Sequence, residues 1–95
     1  MRFEWDRRKN RANIRQHGID FTDAREIFEG PMLTSPDDRE DYGEDRWTAI
    51  GLLRSRVVVA VFTEPESDLT RIISIRKALK HEIRQFEQAL RNRLG

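Results

Sequence analysis

The sequence predicts a small α+β domain: a mostly antiparallel sheet of four to five strands, two helices near the N-terminus and one at the C-terminus. Three observations carry this. Segments 47–53, 57–64 and 70–77 are rich in β-branched and other apolar residues, and turn-forming connections separate them. From Ala78 the apolar period changes, with Leu79, Ile83, Phe86, Leu90 and Leu94 recurring every three or four positions as on one face of a helix. Near the N-terminus, Asp6 and Gly18 bracket a charged segment with a capping residue and a left-handed stop. A chain of 95 residues is expected to form one domain, 1–95, with one modest core.

In chain order, Arg2–Trp5 is short and reads as an edge or opening strand. Asp6 caps the helix that follows, and Gly18 ends it after His17. A second short helix over 22–28 gathers Phe21, Ala24, Ile27 and Phe28 on one face, and Gly30-Pro31 terminates it. Residues 32–34 form a brief strand. The segment 36–45 is an acidic loop with six carboxylates and one arginine. The three strong strands follow, joined by a tight connection at 53–56 and a turn at 65–68, so neighbours are expected to pair as antiparallel hairpins. The last helix carries an apolar stripe that covers the sheet or binds another chain. All helices are expected against one sheet face.

The formal net charge of +1 hides an uneven distribution. Residues 1–18 hold six Lys/Arg against two Asp/Glu, residues 71–95 seven against two, and residues 19–70 five against thirteen. If the two basic ends meet, they form one cationic surface for phosphates; cations spread over solvated helix faces are the plainer alternative. The acidic loop is expected to lie off such a surface or to meet a basic partner. There is no cysteine, no apolar run near the roughly 20 residues of a membrane span, and no signal-peptide core. A soluble cytoplasmic protein is the expectation.

Metal and cofactor chemistry find no support. His17 and His81 lie far apart, with no paired-histidine motif, and the carboxylates crowd into a loop where water would solvate them. No Gly-rich phosphate loop, nucleophile elbow or CxxC is present. Metal-free phosphodiester cleavage stays open: the 2′-hydroxyl of RNA attacks, and the protein moves protons and stabilises charge on phosphorus. Candidate catalytic residues near predicted element ends are Lys9, His17, Arg46, Glu64, Arg71 and Arg76, with Arg8, Lys77 and Lys80 as RNA contacts.

Each has a plainer reading. His17 closes a helix, Lys9 is solvated, and Glu64 serves the turn before Pro65. Arg71 and Arg76 are five apart, so period two sends them to opposite faces unless a bulge intervenes; Arg76, nearer the basic helix, is favoured. Trp5 and Trp47 read as packing residues rather than base-stacking platforms.

The chain also resembles the BrnT family of ribonuclease toxins. The resemblance rests on Phe3-Glu4-Trp5-Asp6 with Lys9 and Asn13, His17-Gly18-Ile19, Phe21 with Ala24, and Gly43-Glu44 with Arg46. It continues through Ile50-Gly51, Thr63-Glu64, and Arg71-Ile72-Ile73-Ser74 with Arg76, Ala78 and Glu82. It implies a RelE-like fold and a toxin that cleaves RNA. It further implies a BrnA-like antitoxin encoded beside it, which neutralises the toxin in a hetero-oligomer and contacts operator DNA on its behalf. Phe86 stands where relatives carry tyrosine, Ile75 replaces a smaller residue, and Gln16 replaces a basic one. The missing phenol keeps a second class open, a non-catalytic nucleic-acid-binding or antitoxin-binding module.

Overall fold

The run from Val57 to Phe62 is apolar at every position, and a strand of that kind is stable only with both faces covered. In the computed structural model, which describes residues 1–94, that run lies in the middle strand of the sheet. In chain order the elements are β1 (Arg2–Trp5), α1 (Arg7–His17), a 3-10 turn (Phe21–Asp23), α2 (Ala24–Glu29), β2 (Met32–Pro36), β3 (Trp47–Leu53), β4 (Arg56–Glu66), β5 (Leu69–Lys77) and α3 (Lys80–Leu94). The strands form one sheet in the order β1-β5-β4-β3-β2. β2 through β5 pair antiparallel, and β1 joins the far edge parallel to β5. The α+β architecture and the hairpins read from the sequence are therefore present, with one parallel pair at an edge.

The expectation that all helices share one sheet face is corrected. Val58, Ala60 and Phe62 of β4 face a core with Ile72 and Ile75 of β5 and with Phe21, Ala24 and Ile27 beneath α2. Val59 faces the other way, with Ile50 and with Phe86 of α3, flanked by half-buried Leu33, Leu52, Val57 and Leu90. The helices thus split, α2 on one side and α3 on the other. The α3 stripe is narrower than its sequence suggests, since Leu79 and Leu94 are exposed.

Local chemistry fixes the joints. The Asp6 carboxylate accepts hydrogen bonds from the backbone N–H groups of Arg8 (2.8 Å) and Lys9 (3.0 Å), and Gly18 ends α1 at φ 70. Arg54 and Ser55 both adopt left-handed backbone, at φ 49 and 69, giving a two-residue turn whose twist suits a hairpin. The Arg54 guanidinium is held by Asp23 at 3.1 Å. At Gly51 a Cβ would approach Cγ2 of Ile27 to 2.9 Å, so glycine lets α2 press onto β3. The 65–68 turn is shorter than expected, because β4 continues to Glu66 and only Ser67 and Asp68 turn.

One irregularity reorganises β5. Val61 pairs with Ser74 but Phe62 pairs with Ile72, which leaves Ile73 as an extra residue in the ladder. This bulge changes the parity of the strand. Ile72 and Ile75, three apart, both enter the α2-side core. Arg71, opposite Thr63, returns to the same face as Arg76, opposite Val59.

Candidate functional site

α3 covers only part of its sheet face. Phe86 and Leu90 lie over the rows that hold Leu33, Ile50, Val59 and Leu52. The next row, Ser35, Thr48, Val61 and Ser74, is left open and floors a cleft of about 630 Å³. One wall is the first two turns of α3, with His81, Glu82 and Gln85; the other is Pro36, Asp37, Asp38 and Arg39. Arg76 closes the end between sheet and helix.

Arg76 is fixed from α3. Its Nη1 donates to Oε1 of Glu82 at 2.7 Å and its Nη2 to Oε2 at 2.9 Å, a two-pronged pair. Glu82 Oε1 also accepts the Leu79 backbone N–H at 2.8 Å, so one carboxylate caps α3 and positions the arginine. These bonds, Arg76 first, hold the Glu82 carboxyl down at about 2 against the opposing effect of burial. Arg76 in turn is raised above the usual arginine value, chiefly by Glu82, while burial and the charge of Arg39 oppose it. Glu82 is therefore a fixed anion, and Arg76, 34% exposed, a fixed cation that still faces the cleft.

The opposite wall repeats the device. The Asp37 side chain is 1% exposed and accepts from Arg39 Nε at 2.8 Å and Nη2 at 2.9 Å. Those bonds hold its carboxyl below the ordinary aspartate range. The first residues of the acidic segment form this wall, so the segment does not lie wholly off the cleft. Asp37 extends the β2–β3 ladder through its N–H to Arg46 C=O (2.8 Å), so the loop opens only after it. Local cations also moderate its charge: Arg46 sits 4.0 Å over the Tyr42 ring and reaches Glu44 at 3.3 Å.

Of the residues nominated from sequence, Arg76 alone lines the cleft. Arg71 shares its sheet face through the bulge but lies four β4 positions away, about 13 Å. There it is paired with Glu4 at 2.6 Å. Arg46 lines an adjoining depression that shares Pro36, Asp37 and Asp38 with the cleft. Lys77 and Lys80 are exposed at the β5–α3 junction. Lys9 and Arg8 are exposed on α1, and His17 is half-buried at its end, all outside the cleft. Glu64 lines a different depression with Met1, Phe28 and Thr70. Trp5 and Trp47 pack against the α2-side core. Phe86 is buried under α3 and does not line the cleft, so the position of the missing phenol is a packing position here.

Sequence reading missed His81, Glu82 and Arg39 as site residues. Glu82 had a signal: a glutamate three residues after the start of a helix is a capping residue, and a strand arginine stands six residues before it. Arg39 was hidden in an acidic run, where its role depends on a buried partner two residues away. Among the described residues, no three or more His, Cys, Asp or Glu are grouped to hold a metal ion, and no helix is long and apolar enough to cross a membrane.

Residues 5–82 match the family described as ribonuclease toxin, BrnT, of type II toxin-antitoxin system. The structure is similar to the crystal structure of the Brucella abortus ribonuclease toxin, BrnT, with 29% identity, a TM-score of 0.69, and coverage of 84% of this chain and 99% of that one. No curated protein matches. Arg76, His81 and Glu82 all fall within the matched span, at its C-terminal end.

Proposed function

This chain belongs to the BrnT family of ribonuclease toxins of type II toxin-antitoxin systems, and on that premise we propose that it cleaves RNA without a metal ion in the cleft between the sheet and α3. The observation that carries the reading is Arg76, locked by Glu82 at 2.7 and 2.9 Å beside His81 and facing Arg39.

In the proposed reaction the substrate's 2′-hydroxyl attacks the adjacent phosphorus. It loses its proton to a base, the bond to the 5′-oxygen breaks, and that oxygen takes a proton from an acid. A 2′,3′-cyclic phosphate remains. Arg76 suits the negative charge that builds on the phosphoryl oxygens, because Glu82 occupies only part of its five N–H donors and prevents its reorientation. Arg39, held by Asp37, supplies a second cation on the facing wall. His81 is the proton-transfer residue in this reading, since imidazole serves as acid and base near neutral pH. Lys9, His17 and Glu64 do not line the cleft, and this reading gives them no part in the chemistry. Arg71, Arg46, Lys77 and Lys80 lie around it and are assigned to phosphates flanking the scissile one.

As a type II toxin the protein has an antitoxin partner. We assign a BrnA-like antitoxin, bound in a hetero-oligomer in the cytoplasm, through which operator DNA is contacted. The test is cleavage by purified protein freed from antitoxin. Activity should survive EDTA and leave cyclic or 3′-phosphate ends. Arg76→Ala should lower turnover by about 10²–10³-fold and His81→Ala by about 10²-fold or more. Cleavage abolished by EDTA, or a folded Arg76→Ala protein with full activity, defeats the mechanism. Toxicity with no RNA cleavage supports the non-catalytic binding module instead.

A further inference from the structure

We propose that the solvent face of α1 is a second nucleic-acid contact, a cationic ridge that docks the sugar-phosphate backbone of double-stranded RNA away from the cleft. The ligand class rests on the ribonuclease reading above, but the test does not. Arg7, Arg11 and Arg15 follow one another at four-residue spacing and form a ladder about 12 Å long, with Arg8 beside it. The helix turns the other way to be buried: Asn13 bonds to Ile75 and Ile19, and Asn10 to Asp20 and Phe21.

Within the isolated chain the Asp6 carboxylate offsets only the first turn of this ridge. Six arginines elsewhere, Arg2, Arg39, Arg46, Arg54, Arg71 and Arg76, each have a carboxylate partner, and the other five, Arg25, Arg56, Arg84, Arg91 and Arg93, are divided among α2, β4 and α3. Among the described residues, the side chains of Arg7, Arg8, Arg11 and Arg15 make no ion pair or hydrogen bond, and Arg8 meets Asp6 only through its backbone N–H. Asp6 caps the N-terminus of α1, but the helix itself contains no acid and its first turn carries Arg7, Arg8 and Lys9 where the helix dipole favours anions. Like charges four apart repel each other as well. Four arginines gathered on one helix without carboxylate partners offer a site for an external polyanion. A continuous row of phosphates relieves the dipole conflict and the ladder repulsion together, and such contact follows shape and charge rather than base sequence.

The experiment compares Arg7→Gln/Arg11→Gln/Arg15→Gln with a matched variant, Arg56→Gln/Arg84→Gln/Arg91→Gln, each in an Arg76→Ala background for binding and a native background for cleavage. Affinity for a 20-base-pair RNA duplex is read by fluorescence anisotropy across salt concentrations. The α1 variant should lose about tenfold or more in affinity, and its log–log salt slope should fall by about two, at roughly 0.7–0.9 per lost phosphate contact. Replacement of the same three arginines by lysine should retain binding. Thermal unfolding of the glutamine variant should be no easier than wild type, and cleavage of a short single-stranded oligonucleotide should stay within about twofold. Unchanged duplex affinity, or an equal loss in the matched variant, overturns the proposal. Loss of antitoxin binding with duplex affinity intact also overturns it and assigns the face to the antitoxin. Cleavage that persists in Arg76→Ala would damage the active-site reading while leaving this binding result standing.

Discussion

Glu82 accepts three hydrogen bonds, from the Leu79 backbone N–H and from both terminal nitrogens of Arg76, and so ties strand, helix and cleft together. Its folded carboxyl titrates at about 2 against an ordinary 4.5. A depressed carboxyl contributes stability that is complete above the unfolded value and is lost as pH falls toward the folded one. Glu82→Gln should therefore lower unfolding free energy at pH 7 by about 1–3 kcal/mol. The gap between wild type and variant should close as pH falls from about 4.5 to about 2. Urea unfolding at several pH values reads this directly. A gap that stays constant down to pH 2 would mean that shape rather than charge makes Glu82 matter.

At the scale of elements, the least legible features were those where one side chain replaces a missing piece of backbone. β1 pairs with β5 only as far as Ile72, which leaves Ile75 at an open edge. Asn13 fills that gap: its amide accepts the Ile75 N–H at 3.1 Å and donates to Ile75 C=O and Ile19 C=O, each at 2.9 Å. Asn13→Ala strands several buried polar groups and should cost about 2–4 kcal/mol, seen as a lower denaturation midpoint with unchanged slope. A shift near zero would show that water replaces the amide. The Ile73 bulge, an extra residue in the ladder, is equally hard to read. Ile72-Ile73-Ser74-Ile75 fits either register equally well as a string of letters, so period two placed Arg71 and Arg76 on opposite faces. Only the pairing with β4 shows that they share one. By contrast α1, its Asp6 cap and its Gly18 stop were readable, because capping is decided by residues adjacent in sequence.

For the molecule as a whole, the expectation of helices on one sheet face overlooked Val57–Phe62, an unbroken apolar strand with no face to give to water. What the letters did not reveal was which helix covers which side, and that choice creates the cleft. The two sides are unequal. Among the described residues, eleven buried ones join in the α2-side core, but only Ile50, Val59 and Phe86 are buried in the core under α3. Because α3 carries His81 and Glu82 over this thin layer, its docking should be the weaker part of the native structure. Native-state hydrogen exchange should show α3 amides opening at lower free energy than those of β4 and β5. Phe86→Ala removes the buried anchor of the helix. A buried Phe→Ala change costs about 3–5 kcal/mol; here that loss should fall on α3 first, abolishing cleavage while β4 and β5 stay protected. Equal opening free energies across α3 and β4, or a Phe86→Ala protein that cuts RNA at the wild-type rate, would show instead that sheet and helix unfold as one unit.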